Sequence, residues 1–227
     1  MITKEEFSAM QDHAIVEPYA DEKAIRNRIQ ESLDHKFASV VVNPAWVKFT
    51  KDIVGDRIPV STLISFPFGA ATTKMKIAEA LDAIDNGATQ LDVVMNISWI
   101  KSGYFDRAEA EIKEFVRAAK ARDRKVGVKV IIECCYLTHD EKVKSCEIVA
   151  GSGADFVKTS TGTGSWGCRI GDIRLMKKVV GNRCGIKAAA DIKTVEDALA
   201  VIAEGATRIG ENTAVQILKD WDKQLWH

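Results

Sequence analysis

Two lysines sit inside apolar runs of this 227-residue chain: Lys158 in Asp155-Phe156-Val157-Lys158-Thr159-Ser160, and Lys187 in Gly185-Ile186-Lys187-Ala188. An ammonium group pointed into a protein interior has to be paired, neutralised or used. Strand alternation alone leaves each side chain's direction open, so the lysines either face inward or snorkel between strand and helix. Facing inward on neighbouring strands they would repel, one would be kept neutral near physiological pH, and a neutral amine attacks carbonyls. Asp92, in Leu91-Asp92-Val93-Val94-Met95, is a carboxylate in a similar run, costly to bury without a cationic partner. A lysine opposite would supply that partner; a structural ion pair is the plainer reading. Carboxylate, lysine and amine nucleophile together provide the iminium formation and proton transfers of Schiff-base chemistry.

Such residues need strands to hold them. Short β-branched runs alternate with longer amphipathic segments, the pattern of βα units around a parallel sheet. Strands are predicted near 12–17 (the weakest), 38–43, 58–65, 90–96, 126–133, 155–160, 185–190 and 207–210. These runs suit a single (β/α)8 TIM barrel over residues 1–227, in which the C-terminal strand ends converge on one face and carry the chemistry. Lys74 to Asn86 puts Ile77, Leu81 and Ile84 on one helical face, with Gly87 as a stop. Phe105 to Arg122 repeats the pattern with Ile112, Phe115, Val116 and Ala119. Further helices are expected over Asp140 to Ala150, ended by Gly151, and Thr194 to Ala203, capped by Thr194 and ended by Gly205. Gly-Ala-Thr or Gly-Ala-Asp precedes three strands, at 87–89, 153–155 and 205–207, which hints at a repeated αβ connection.

Lys plus Arg equals Asp plus Glu at 32 each, which gives no composition-level case for nucleic-acid binding. The opening Met1-Ile2-Thr3-Lys4-Glu5-Glu6 lacks a secretory pattern and no apolar run is long enough to span a bilayer, so a cytoplasmic protein without membrane attachment is expected. Cys134, Cys135, Cys146, Cys168 and Cys184 lack CxxC spacing and are read as reduced, non-catalytic thiols. His13, His35, His139 and His227 form no ligand pattern and are read as surface or packing residues, so no metal is implied. Apolar residues on the outer helices suit either a homo-oligomer or packing on the barrel. The tail, Trp221 to His227, is expected to close over the site or dock elsewhere.

Asp155-Phe156-Val157-Lys158-Thr159-Ser160-Thr161-Gly162 resembles the Schiff-base strand of the deoxyribose-phosphate aldolases. Leu91-Asp92-Val93-Val94 is similar to the strand bearing that family's proton-relay aspartate, and Gly185-Ile186-Lys187-Ala188 to the strand of its second lysine. Similarity extends through Asn43-Pro44-Ala45-Trp46-Val47, Phe66-Pro67-Phe68-Gly69 with Thr73 and Lys76, Val130-Ile131-Ile132-Glu133 and Gly205-Ala206-Thr207-Arg208-Ile209-Gly210, covering about residues 10 to 215. The resemblance implies a cofactor-free class I aldolase in which Lys158 forms the imine, Lys187 perturbs its pKa and Asp92 relays protons. It implies a small-molecule aldehyde or sugar phosphate, cleaved reversibly to acetaldehyde and an aldehyde such as glyceraldehyde 3-phosphate. Substrate contacts are implied at Asp12, Thr161, Asp191, Glu211, Asn212 and Thr213.

The chain departs from the family pattern where a phosphate would sit. Ala190-Asp191 stands where relatives have Gly-Gly, and Glu211-Asn212-Thr213 where they have a small residue and two serines. Asp12-His13-Ala14-Ile15-Val16-Glu17-Pro18 loses a threonine and a lysine. Two like charges ~4 Å apart repel by roughly 1 to 4 kcal/mol, so Glu17, Asp191 and Glu211 are expected to receive a dianion poorly. In the alternative, these carboxylates point outward or pair with Arg169, Arg174 or Arg208. An acceptor bearing hydroxyls or a positive group is therefore a second expectation. A Schiff-base dehydratase or transaldolase and a non-catalytic ligand-binding barrel are the rivals.

Overall fold

The computed structural model describes residues 2–224. Its strands β1 (Gln11–Ile15), β2 (Ser39–Val42), β3 (Val60–Ile64), β4 (Gln90–Val94), β5 (Gly127–Ile131), β6 (Phe156–Lys158), β7 (Gly185–Ala189) and β8 (Arg208–Glu211) close in sequence order into one barrel. Every neighbouring pair is parallel, including the closing pair of β1 and β8. The helices are α1 (Lys4–Ser8), α2 (Glu22–Asp34), α3 (Val47–Val54), α4 (Thr73–Asp85), α5 (Ile97–Lys101), α6 (Phe105–Arg122), α7 (His139–Ser152), α8 (Ile170–Val180), α9 (Val195–Ala203) and α10 (Ala214–Gln224). The chain is thus a (β/α)8 barrel, and each predicted strand overlaps an observed one.

Strand alternation divides the interior into two chemical layers. Val40, Val42, Leu91, Val93, Val128, Val130, Val157, Ile186 and Ile209 pack in one apolar cluster with Ile25, Ile29, Ile112, Phe115, Ile173 and Val201 of the helices. Burying a side chain such as Phe115 or Ile112 contributes about 1.5–3 kcal/mol, so the apolar helix faces are used in covering the barrel. The alternate strand positions include Asp12, Ser39, Ser61, Asp92, Lys129, Lys158 and Lys187, all buried and all polar.

The helix boundaries follow their caps. Thr138 with Glu141 and Thr194 with Asp197 form capping boxes at the starts of α7 and α9. One expected stop moves: α7 runs through Gly151 to Ser152 and ends on Gly153, at φ 84°. The three Gly-Ala connections are alike, with Gly87 at φ 103°, Gly153 at 84° and Gly205 at 111°, conformations that a Cβ disfavours. The following Ala88, Ala154 and Ala206 are buried where helix meets strand. Trp221 stacks on Phe7 at 4.8 Å between ring centroids, so the start of the tail docks on α1; residues 225–227 lie outside the described residues.

Candidate active site

β6 and β7 are in register at Lys158 and Lys187, which puts the two lysines side by side facing the barrel interior. Asp92 on β4 reaches both: its Oδ2 accepts from Lys158 Nζ at 2.8 Å and from Lys187 Nζ at 2.7 Å. Its Oδ1 accepts from Lys129 Nζ at 2.9 Å, and Lys129 is the opposite residue on β5. Asp12 on β1 completes the cluster, accepting from Lys187 at 2.6 Å, Arg208 at 3.0 Å and the Ser39 hydroxyl at 2.6 Å, with Lys129 at 3.2 Å. Two carboxylates therefore answer four basic side chains, Lys129, Lys158, Lys187 and Arg208.

That imbalance decides which group gives up its proton. Burial opposes the charged form of Lys187, but Asp12 and Asp92 outweigh it and raise its pKa. Lys158 shares its carboxylate, and its pKa is lowered to about 8: burial is the largest cause, and the Lys187 and Lys129 charges add to it against the pull of Asp92. Repulsion between neighbouring ammonium groups, the cause expected from sequence, is thus second to desolvation. Burial would raise the pKa of Asp12 and Asp92, yet the surrounding lysines hold both well below the usual carboxylate range. Gly210 makes the packing possible, because a Cβ there would lie 2.6 Å from Lys187 Cε.

Above Lys158 and Lys187 a cavity of about 430 Å³ opens at the C-terminal strand ends. Asp12, Thr161, Asp191, Glu211, Asn212 and Thr213 all line it; Asp92 lies fully buried beneath. Thr161 is fixed by Glu133, whose carboxylate accepts from the Thr161 N–H at 3.0 Å and from its hydroxyl. Glu133 holds φ 50°, which costs a residue with a Cβ about 1–2 kcal/mol and turns the chain after β5 toward that loop.

At the far end of the cavity Ala190 and Asp191 both take positive φ, 67° and 64°. Glu211 Oε1 accepts from the Ile192 N–H at 3.2 Å, and the Ala190 N–H also favours its charged form. Burial nevertheless pushes the Glu211 carboxyl up to about 7, helped by nearby Asp191. Asp191 Oδ2 accepts from the Gly167 N–H at 2.7 Å. The arginines proposed as partners are engaged elsewhere: Arg208 with Asp12, Arg174 with Glu204, and Arg169 stacked 3.9 Å over the Trp166 ring.

Lys129 was missed from sequence, although Gly127-Val128-Lys129-Val130 carries the same signal of a lysine in an apolar strand. Arg208 was read only as a partner for the acidic departures. His13 faces α2, near Glu31 and Arg28, and burial with the Arg28 charge lowers its pKa to about 4. Among the described residues no group of His, Cys, Asp or Glu is arranged to hold a metal ion.

Fold and site together define an enzyme-like barrel with a buried amine of lowered pKa at a cavity on the strands' C-terminal ends. Residues 4–222 match the model of the DeoC/LacD family aldolases. The deoxyribose-phosphate aldolase of Caldanaerobacter subterraneus subsp. tengcongensis is 44% identical over 229 residues, covering 99% of each chain. That of Enterococcus faecalis is 46% identical over 214 residues, 94% of this chain and 96% of the relative. The solved aldolase QR15 superposes with a TM-score of 0.90 at 34% identity, covering 100% of this chain and 99% of its own. The chain belongs to the DeoC/LacD aldolase family and is a class I aldolase, a carbon–carbon lyase.

Proposed function

We propose that Lys158 is the imine-forming nucleophile in reversible aldol cleavage of a 2-deoxyribose skeleton, the skeleton in the names of the relatives. The observation that carries this is a buried amine with pKa lowered to about 8, at the floor of an open cavity, sharing the Asp92 carboxylate with a second lysine. The neutral amine adds to the sugar's aldehyde carbon and water leaves, giving an iminium ion. The C2–C3 bond then breaks: its electron pair enters the iminium to form an enamine, the C3 hydroxyl loses its proton, and a three-carbon aldehyde departs. Protonation of the enamine at carbon and hydrolysis by one water release acetaldehyde and restore the amine. Asp92 Oδ2, in contact with the Lys158 amine, is the carboxylate oxygen that relays its proton. Lys187 remains the cation that keeps Lys158 from holding its proton. The described residues include no helix long and apolar enough to cross a membrane. Five free cysteines suit a reducing compartment, and this supports the cytoplasm as the proposed location.

Borohydride reduction in the presence of acetaldehyde, followed by peptide mass spectrometry, should find the two-carbon adduct on Lys158. The Lys158→Met protein should lose both the adduct and cleavage, by about 10⁴-fold or more. An undiminished rate in that variant would end this reading.

A further inference from the structure

The cavity has a lysine end and an acidic end, and the acidic end is already filled by the protein itself. Positive φ at Ala190 and Asp191 turns the backbone so that the N–H groups of Ala190 and Ile192 converge on one carboxylate, an arrangement that holds anions. The anion it holds is the Glu211 carboxylate. Other donors nearby are also committed: the Gly167 N–H to Asp191, the Asn212 amide to Glu17 at 3.3 Å, and the Thr213 hydroxyl to the Ile192 carbonyl at 3.2 Å. Lys193, which also lines this end, stands 3.7 Å from Asp191. An oxyanion entering here meets occupied donors and negative charge. A hydroxyl meets acceptors, since a carboxylate has about four lone-pair sites and Glu211, Asp191 and Glu17 spend only part of theirs.

We propose that Glu211, backed by Asp191, is the specificity-determining side chain: it occupies the backbone anion pocket from within and selects aldehydes whose remote end carries a hydroxyl instead of a phosphate. This rests on imine chemistry at Lys158, whose cavity Glu211 shares.

The test measures kcat/KM for 2-deoxyribose and 2-deoxyribose 5-phosphate, with borohydride trapping of each sugar on Lys158, in the wild type, Glu211→Gln and Glu211→Ser. Assayed at pH 8, above the value of about 7 to which burial raises the Glu211 carboxyl, the wild type is expected to favour 2-deoxyribose by about tenfold or more, as one unscreened like-charge contact implies. Glu211→Ser should shift the ratio toward the phosphorylated sugar by about tenfold or more, with Glu211→Gln between because it keeps the bulk and loses the charge. Inorganic phosphate should compete with 2-deoxyribose in Glu211→Ser and not in the wild type. Trapping on Lys158 with a wild-type preference for the phosphorylated sugar would overturn this inference and leave the catalytic reading intact. Absence of trapping with either sugar would overturn the catalytic reading, and this inference with it. The wild-type ratio decides even if both variants misfold.

Discussion

Lys76 and Lys158 are both buried lysines bonded to buried carboxylates, and only one of them faces a cavity. Lys76, on α4, donates to Glu111 of α6 at 2.6 Å and to the Val94 carbonyl of β4 at 2.9 Å; Glu111 also accepts from Thr73 at 3.2 Å. That carboxylate serves no other lysine, and the pair is sealed between helices and barrel at 0% side-chain exposure for both partners. Lys158 sees an Asp92 oxygen that Lys187 also uses, and its tip reaches the cavity. Burial lowers the pKa of both lysines, so burial does not distinguish them. A shared counter-charge and an open approach do. The same residue type is a sealed structural tie in one place and, in the role proposed for Lys158, an amine free to react in the other, because the number of carboxylates per lysine and the access to the cavity both differ.

The contrast can be broken first at the shared carboxylate. Asp92→Asn removes one partner from three lysines, and cleavage should fall by about 10²–10⁴-fold in kcat, measured by acetaldehyde release. At the sealed pair the effect should move from rate to stability. Lys76→Met leaves Glu111 buried without its cation and should cost roughly 3–5 kcal/mol in urea unfolding, while kcat of the folded protein stays within about twofold. A comparable loss of kcat would show that the two lysines are coupled. The pH profile sharpens the comparison. Because the free amine is the reactive form, kcat/KM should climb about tenfold per pH unit below about 8 and level above it. Lys187→Met removes a charge that lowers the Lys158 pKa, so its inflection should move up; Asp92→Asn removes one that raises it and should move the inflection down.

Much of this arrangement could be read from sequence, for an identifiable reason. Strands in a barrel are covered by helices outside, so their β-branched runs stand out, and a charged residue within such a run is conspicuous even though its direction stays open. Asp92, Lys158 and Lys187 were legible on that basis. β1 was the weakest strand because Gln11-Asp12-His13 puts three buried polar residues in a row, of which Asp12 faces the cluster and His13 faces α2. The four-way ion network was less legible: registers such as Asp92 opposite Lys129 are fixed only when the barrel closes. Glu133 reaching the Thr161 loop across 28 residues and Glu211 filling the 190–192 backbone likewise depend on where turns place side chains. Alternation shows which residues share a face, and it is silent about which face turns inward and which oxygen meets which proton.

The missing side chain at Gly210 leaves room for the stem of Lys187. With no methyl on β8, the stem of Lys187 lies against that strand and carries its amine to Asp12. Fill that gap and the stem has to shift, so an empty place on one strand sets where an amine on the next can stand.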